Sequence, residues 1–221
     1  MRIVQPGQGE VVGDSPTRRV EILCDHDAVH ATVSRFAAGQ DGADLHIHRR
    51  HHDLFYVLEG ELTLRLQDAE DLRAGAGTLV CVPPLVVHGF RNGSDADVRY
   101  LNLHAPGARF ADYMRSLRDG APIAYDQFDP PADGGRPVSE AVAGVESIRI
   151  DAVEVAPLGA GGTAVAGDRV ASFYVLGGEA EFALVDGAPQ RCGAGTWVQA
   201  PAGVGGTVTP APGARLLAIL T

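Results

Sequence analysis

The amino-acid sequence repeats itself at an offset of 118 residues, and this repeat restricts the fold more than any other feature. Residues 55–61, Phe-Tyr-Val-Leu-Glu-Gly-Glu, align with residues 173–179, Phe-Tyr-Val-Leu-Gly-Gly-Glu. The same offset aligns a glycine and a proline further along the chain, Gly77 with Gly195 and Pro83 with Pro201. Two regions that match without a gap are typical of an internal duplication. The chain of 221 residues is therefore predicted to hold two copies of one domain.

Each copy has the pattern of a series of short β-strands. Apolar and β-branched residues form short runs, separated by turns rich in glycine, proline or polar residues. In the first copy these runs cover residues 19–23, 31–36, 53–58, 62–66, 78–82 and 98–104. Many short strands with such turns are typical of closed barrels and jelly rolls, so the predicted fold class is all-β.

The segment between the copies changes character twice. Residues 108–119 have helical periodicity, which predicts a short amphipathic helix whose apolar stripe packs on the barrel or on a partner. Residues 120–138 carry four prolines and a Gly-Gly pair, a composition typical of a linker, and the sequence leaves open whether it acts as a lid or a tether. The predicted division is an N-terminal barrel with its helix at 1–119, a linker at 120–138 and a C-terminal barrel at 139–221.

Histidines cluster in the first copy, directly before an apolar strand. His46 and His48 are two residues apart, so on a strand both imidazoles project from one face. Neutral imidazole is the commonest protein ligand for metal ions, and this pair makes half of a metal site. A hairpin into the strand at 53–58 would bring Asp53 beside the pair. A further histidine, His88, lies in a second patterned stretch, residues 77–92.

These two stretches together resemble the paired motifs of the cupin superfamily. The residues that match the first motif are Gly42, His46, His48, Asp53 and Gly60, and those that match the second are Gly77, Pro83, His88 and Asn92. The chain departs from the family pattern at Gly42, which is one position off, at Asp53, which replaces a glutamate, and at Leu85, which replaces a glycine. The resemblance implies two cupin barrels of the jelly-roll type. It also implies that His46, His48, Asp53 and His88 hold one divalent metal in the first barrel.

Three imidazoles and a carboxylate suit Fe, Mn, Ni, Co, Cu or Zn, and their chemistry does not select among these metals. Aspartate is one methylene shorter than glutamate, so Asp53 is expected either to bind the metal or to orient an imidazole as its hydrogen-bond partner. The remaining histidines receive other roles. His51 and His52 are expected in a turn that faces solvent, with substitution of one of them for Asp53 as a ligand as the alternative. His26 and His30 are expected at the surface or in a turn. His104 is assigned a structural role, and the sequence does not determine which face of its strand looks inward.

The second copy lacks the metal ligands. The offset aligns His46 with Ala164, His48 with Ala166, Asp53 with Ala171 and His88 with Gly206, and all eight histidines lie at or before residue 104. Alanine and glycine have no side-chain donor, so the second barrel is predicted to be metal-free. It would then pack on the first barrel, close its open end or provide a dimer face; a metal-free ligand pocket is the alternative.

Composition restricts the partners. The formal net charge of −10 at pH 7 argues against a general affinity for nucleic acid or anionic membranes, and no run approaches the ~18 apolar residues of a membrane helix. Cys24, Cys81 and Cys192 have no metal-type spacing and are expected to be reduced, mostly buried thiols of a cytoplasmic protein without a secretory leader. The expected partner is a small molecule. Cupins often form dimers, so the resemblance also allows a homodimer.

Strand parity predicts an apolar substrate pocket. Phe55 and Val57 share the face of Asp53, and Val86 and Phe90 share that of His88. Three functions follow. The first is a metal-dependent dioxygenase resembling quercetin-dioxygenase-like cupins, in which the substrate enol or hydroxyl binds the metal, the carboxylate ligand (here Asp53) is the catalytic base and O2 cleaves a C–C bond. The second is a non-redox isomerase, cyclase or decarboxylase, and the third is a binding module without turnover.

Overall fold

The computed structural model describes residues 1–137, 142–145, 148–150, 153–158, 162–165, 167–184 and 188–221. These residues form strands and one short helix, which confirms the predicted all-β class. The elements in chain order are β1 Arg2–Val4, β2 Glu10–Asp14, β3 Arg18–Asp25, β4 His30–Phe36, β5 His52–Glu59, β6 Glu61–Leu66, β7 Leu72–Gly75, β8 Leu79–Val82, β9 His88–Arg91, β10 Val98–Ala105, α1 Phe110–Arg118, β11 Val142–Val145, β12 Ile148–Ile150, β13 Val153–Leu158, β14 Thr163–Val165, β15 Ala171–Gly177, β16 Glu179–Leu184, β17 Gln190–Gly193, β18 Trp197–Ala200, β19 Gly206–Pro210 and β20 Arg215–Leu220.

The first barrel, residues 10–145, consists of two antiparallel sheets. The larger sheet has seven strands in the order β11-β8-β5-β10-β4-β3-β2, and the smaller has three in the order β7-β6-β9. Alternate side chains of both sheets meet in one core, in which Phe55 and Val57 of β5 pack with Leu62 and Leu64 of β6. Each strand is therefore apolar on its inner face, as expected when two sheets share a core.

The second barrel, residues 1–9 with 146–221, repeats this plan. Its larger sheet has six strands in the order β1-β18-β15-β20-β13-β12, and its smaller sheet has four in the order β14-β19-β16-β17. Phe173, Val175 and Phe182 occupy in this core the positions that Phe55, Val57 and Leu64 occupy in the first. The predicted duplication is thus a duplication of strand order and of core positions.

The turn between β7 and β8 shows how closely the copies agree. Gly77 has a φ of 85° and its counterpart Gly195 a φ of 84°, a left-handed conformation that glycine adopts without steric cost. In both copies this glycine donates to the carbonyl of the preceding long strand at 2.8 Å, Gly77 to Val57 and Gly195 to Val175. The repeated glycine of the sequence is therefore explained by a repeated turn.

The two barrels exchange their edge strands. β1 precedes the first barrel in sequence but pairs with β18 of the second, and β11 follows helix α1 but pairs with β8 of the first. The predicted division at 1–119, 120–138 and 139–221 did not include this exchange, because the short runs 2–4 and 142–145 have no pattern that distinguishes one edge from another. Each large sheet is completed by a strand that the chain order places next to the other barrel.

Helix α1 lies where the sequence predicted a helix. Ala111 and Met114 are its buried residues, and Arg115 joins it to the sheet through ion pairs with Glu10 at 2.7 Å and Asp25 at 2.8 Å. The predicted apolar stripe therefore packs on its own barrel. No helix among the described residues has the length and apolar character that a membrane crossing requires.

The predicted linker follows the surface of the first barrel over its described part, residues 120–137. Phe128 and Ile47 exchange two backbone hydrogen bonds, at 2.9 and 3.0 Å, and Arg136 donates to the carbonyl of Leu85 at 2.9 Å. We call residues 125–136 the strap. Its contacts fix it along the barrel, so a free tether does not describe this segment; residue 138 lies outside the described residues.

Candidate metal centre

The ligand segment, residues 46–48, is held from both sides by backbone hydrogen bonds. His46 exchanges two with His88 at 2.8 and 3.0 Å, and Ile47 exchanges two with Phe128 of the strap. The segment forms isolated bridges rather than a full strand, yet the extended backbone still sends both imidazoles to one side. Asp53 arrives from β5 and His88 from β9, so three separate parts of the barrel meet at one point.

The structure brings His46, His48, Asp53 and His88 together, and one ligand atom from each lies within 4.8 Å of every other. The Nε2 atoms of His46 and His48 are 3.1 Å apart. The Oδ2 atom of Asp53 lies 3.3 Å from Nε2 of His88 and 3.6 Å from Nε2 of His48. Donors around one ion at ~2.1 Å lie roughly 3–3.4 Å from one another, so this spacing fits a single metal ion.

The three imidazoles are oriented by the backbone. Each Nδ1 contacts a carbonyl oxygen: His46 that of Asp44 at 2.6 Å, His48 that of Asp126 at 2.6 Å and His88 that of Val86 at 2.9 Å. A carbonyl only accepts hydrogen bonds, so Nδ1 carries the hydrogen and Nε2 presents its lone pair to the centre. This tautomer is the one that a metal-binding histidine needs, and the backbone carbonyls set it.

Burial and mutual proximity set the charges of the centre. Burial, followed by the neighbouring His88 and His48, lowers the pKa of His46 to about 3, so this ring is neutral at pH 7. Burial alone would raise the pKa of Asp53, but the nearby His104, with smaller contributions from the neighbouring His48 and His88, holds it well below its usual value. The centre therefore offers a neutral His46 ring and one carboxylate anion to a cation.

A chain of hydrogen-bonding side chains leads from Asp53 to the strap. Oδ1 of Asp53 accepts from the Asn102 amide and lies 3.2 Å from Nε2 of His104. The hydroxyl of Tyr125 bridges Nδ1 of His104 at 2.9 Å and Nε2 of His51 at 3.0 Å. Nδ1 of His51 lies 3.0 Å from the carboxylate of Asp126, which also accepts from the Arg50 backbone N–H at 2.9 Å.

With neutral rings, this chain of hydrogen-bonding side chains has one hydrogen fewer than its contacts need. The four contacts from Asp53 to Asp126 need four hydrogens, whereas two neutral imidazoles and one phenol supply three. Burial lowers the pKa of both His51 and His104, which opposes uptake of a fourth proton. Asp53 acts in the opposite direction on His104. These hydrogen-bonding side chains hold Oδ1 of Asp53 in place, and Oδ2 faces the imidazoles of His48 and His88.

Sequence reasoning missed most of this chain. His51 was expected to face solvent, but it is 0% exposed because the strap covers it. His104 was assigned a structural role, yet its ring faces Asp53. Nothing in the sequence of a proline-rich segment identified Tyr125 and Asp126 as partners of histidines more than seventy residues earlier. The alternation Tyr100, Asn102, His104 along β10 was the one signal, because three polar-capable residues on one strand face indicate a polar interior.

Two further expectations about histidines are settled by burial. The sequence predicts His30 at the surface or in a turn, but it is 1% exposed and its ring packs edge-on against Phe110, with centroids 4.8 Å apart. Neither ring nitrogen of His30 has a hydrogen-bond partner. His52 is the buried first residue of β5 rather than a turn residue, whereas His26 is half-buried in a turn. Polarity alone misplaced His30 because it begins a strand whose alternate residues are interior.

A cavity of about 260 Å³ opens onto the centre. Its apolar wall comes from two strands and from the stripe of helix α1: Phe36, Phe90, Phe110, Tyr113, Met114 and Leu117. Of the predicted pocket residues, Phe90 lines this cavity, whereas Phe55, Val57 and Val86 are fully buried in the core and do not. These three side chains point into the barrel, as their strand positions indicate, but they are packed in its core and leave no space for a ligand.

The second barrel has no comparable group of ligands among its described residues. Ala164 is exposed, Ala171 is buried and Gly206 has a φ of 153°, while Ala166 lies outside the described residues. A cavity of about 220 Å³ lies at the matching place, with Ala164 and Phe173 in its wall. The prediction that this barrel holds no metal is consistent with these side chains and stays a prediction.

The donor set fits a first-row divalent metal. Imidazole and carboxylate suit Fe, Mn, Ni, Co, Cu and Zn, and the spacing and tautomers described above suit one ion. The buried thiol of Cys81 is not among the ligand atoms that lie within 4.8 Å of one another. Burial and then Asp53 raise its pKa to about 12. All three cysteines are buried thiols outside any disulfide. His46, His48, His88 and Oδ2 of Asp53 would hold the ion.

The duplicated jelly roll, with three histidines and a carboxylate in one barrel, can now be compared with known proteins. Residues 32–104, which lie in the first barrel, match the family model described as Cupin domain. Over 119 residues the chain is 28% identical to quercetin 2,3-dioxygenase from Bacillus subtilis (strain 168), a match that covers 53% of this chain and 34% of that protein. The chain thus spans about a third of that relative.

Solved structures share the fold over nearly the whole chain. Protein Ylba from E. coli superposes with a TM-score of 0.70 at 13% identity, covering 99% of this chain and 90% of that one. Salicylate 1,2-dioxygenase from Pseudoaminobacter salicylatoxidans superposes with a TM-score of 0.62 at 15% identity, covering 91% of this chain and 76% of that one. These superpositions show a shared fold. At identities this low they show the fold alone.

Proposed function

We propose that the protein is a metal-dependent dioxygenase acting on a small apolar or aromatic substrate that carries an enol or hydroxyl group. The observation that carries this proposal is the convergence of three Nε2 lone pairs and one carboxylate oxygen beside an apolar cavity. The similarity to quercetin 2,3-dioxygenase adds support for this class. A bound redox metal would bring the substrate oxygen and O2 to one centre and polarise both.

The side chains of the protein have separate tasks in this scheme. His46, His48 and His88 hold the ion, and the backbone carbonyls behind them keep their lone pairs directed inward. Phe90, Phe110 and Met114 remove water from the substrate body and orient it with the oxygen towards the ion. A water-poor cavity strengthens the electrostatic interactions inside it.

Asp53 is the proposed catalytic base and a metal ligand. Its Oδ1 atom is engaged by Asn102 and His104, so Oδ2 must serve both tasks. In the proposed cycle Oδ2 takes the proton of the substrate hydroxyl while the three imidazoles retain the ion. The chain behind Oδ1 keeps the carboxylate in place as its charge changes.

The single free oxygen of Asp53, Oδ2, also fits a second candidate, a non-redox cupin such as an isomerase, cyclase or decarboxylase. One free carboxylate oxygen suffices for a ligand, and a Lewis-acid metal needs no O2. A binding protein without turnover is a third candidate with the same site. All three share a small-molecule partner, and the buried thiols accord with the cytoplasmic location that we propose; a homodimer is also part of the proposal.

Elemental analysis and oxygen consumption test the proposal together. Protein purified without added metal is expected to contain about one equivalent of a redox-active metal per chain. Oxygen electrode traces with flavonols and β-diketones are expected to show uptake of one O2 per molecule of substrate consumed, because both oxygen atoms enter the cleavage products. Protein that holds zinc and consumes no O2 would instead support the non-redox candidate, and protein without metal would refute both.

A further inference from the structure

Arg18 brings a positive charge to the wall of the cavity. It is the first residue of β3, and it shares its strand face with Val20 and Ile22 of the core, so its side chain points into the barrel. The guanidinium carbon lies 5.5 Å from the centre of the Phe36 ring, a cation–π contact that holds it against the apolar wall. Arg18 and Phe36 both line the cavity that reaches the metal centre.

This guanidinium has no anionic partner among the residues that the structure describes. Its Nε is buried and makes no hydrogen bond. The neighbouring Arg19 differs, because it pairs with Glu21 at 2.8 Å and Asp14 at 3.0 Å. A buried donor without an acceptor costs free energy, and such a group at a ligand cavity has an acceptor to gain from a ligand.

The other lining residues leave this charge uncompensated. Asp53 is the carboxylate of the cavity wall; its Oδ1 atom is already engaged by Asn102 and His104, and its Oδ2 atom faces the imidazoles of the metal centre. The remaining wall is mainly aromatic and aliphatic, with Phe90, Phe110 and Met114 among its residues. A molecule in this cavity would therefore meet the ligand set at one site, a cation at another and apolar side chains along the wall.

We propose that Arg18 is a specificity-determining residue that binds a carboxylate on the substrate. The substrate class is then a small apolar or aromatic carboxylate with a second oxygen for the metal. Guanidinium matches a carboxylate with two parallel hydrogen bonds, which an amide or an ester does not offer. The cavity of about 260 Å³ restricts the body to a molecule smaller than a typical drug. The metal-directed oxygen rests on the proposed function, whereas the carboxylate contact does not.

Binding of benzoate and benzamide to metal-free protein tests the carboxylate contact separately from the metal. By calorimetry, the full chain is expected to bind benzoate at least 10-fold more tightly than benzamide. The Arg18→Gln variant is expected to lose this preference, and Arg18→Lys to regain part of it. The matched control Arg19→Gln, which alters an ion-paired surface arginine, is expected to keep the preference unchanged.

Each outcome decides the proposal. Equal affinity of the wild type for the two probes, no binding of benzoate, or a preference that survives Arg18→Gln overturns it. The melting temperature of each variant shows whether the barrel is folded. If Arg18→Gln is unfolded, a preference for benzoate in Arg18→Lys that equals that of the wild type overturns the proposal. A preference for benzoate in a protein that never acquires metal supports the Arg18 contact and refutes the metal centre, whereas metal binding without the preference refutes Arg18 alone.

Discussion

The two barrels share a skeleton and differ in chemistry. Both have the same glycine turn, the same aromatic residue at the centre of the long strand and the same order of strands around it. In the first barrel four interior positions at the mouth carry imidazoles and a carboxylate, and in the second the sequence has alanine or glycine at all four. The comparison teaches that core packing maintains the fold and that the ligands contribute function independently of it.

The two barrels also differ in backbone space at the position of the third histidine. His88 lies opposite Leu66 in the β6–β9 pairing, and Gly206 lies opposite Leu184 at the same register in β16–β19. A Cβ atom at Gly206 would overlap the carbonyl oxygen of Ala183, and its φ of 153° is one that side-chain-bearing residues rarely adopt. The second barrel therefore differs from the first in backbone space as well as in side chains, because a histidine at position 206 would overlap Ala183.

The largest expected effect is on metal content. His46→Ala removes one of three imidazoles and is expected to lower the affinity for Co²⁺ by at least 10³-fold, about 4 kcal/mol. The matched change in the other barrel, Ala164→Ser, should leave the affinity unchanged, since position 164 is exposed and lies in the barrel that is predicted to be metal-free. Titration followed by visible absorption measures both. Two equivalents of metal in the wild type, or equal loss in both variants, would contradict the comparison.

The next effect concerns Gly206. Gly206→Ala is expected to destabilise the second barrel by about 3 kcal/mol, through overlap with Ala183 and an unfavourable φ. Gly213→Ala, at a φ of 78° with open space around it, isolates the conformational part and should cost about 1 kcal/mol. Trp197, the single tryptophan, is buried in this barrel, so urea titrations followed by its fluorescence report on it. Equal costs for the two variants would show that Gly206 tolerates a side chain.

The strap gives a smaller effect on the metal. Asp126→Ala removes the acceptor of His51 and of the Arg50 N–H, which loosens the carbonyl behind His48, and affinity for Co²⁺ is expected to fall 10- to 100-fold. Asp129→Ala, an exposed aspartate of the same strap, serves as the control. An unchanged cobalt spectrum and affinity in Asp126→Ala would show that the strap only covers the ligand segment.

The smallest effect is the acid sensitivity of the metal-free protein. The pKa of His46 is about 3 and that of His30 lies well below 6.5, through burial and then the charges of His104 and Arg115. Below pH 6.5 the unfolded chain binds more protons than the folded one, so stability of the first barrel falls as pH decreases from 7 to 5.5. His30→Leu should reduce this slope by at most about 1.4 kcal/mol per pH unit.

Hydrogen exchange resolved by peptide measures this difference, because it separates the two barrels. The second barrel contains no histidine, so its exchange-derived stability should stay constant over the same range. A parallel decline in both barrels, or an unchanged slope in His30→Leu, would show that buried histidines do not cause the acid sensitivity.

Sequence reasoning reached the features that depend on local pattern. The duplication predicts that the two barrels have matching core positions, and the spacing of His46 and His48 predicts that their side chains point in the same direction. It did not reach features that depend on contacts between distant segments. His51, Tyr125 and Asp126 meet only because the strap packs on the barrel. Phe55 lies in the packed core and not at the cavity, because the parity of a strand residue indicates which face it is on but not how deep it lies. Arg18 at a strand end reads as surface charge until the cavity is seen.

The exchanged edge strands affect how the protein can fold during synthesis. β11, the last strand of the first barrel's large sheet, leaves the ribosome only after residue 145, and β1 must wait for β18, almost two hundred residues later. Pairing at such separations is slow, since a long loop must close before any contact is gained. A gene cut between the helix and the second copy would therefore yield two pieces that each lack one edge strand of their large sheet.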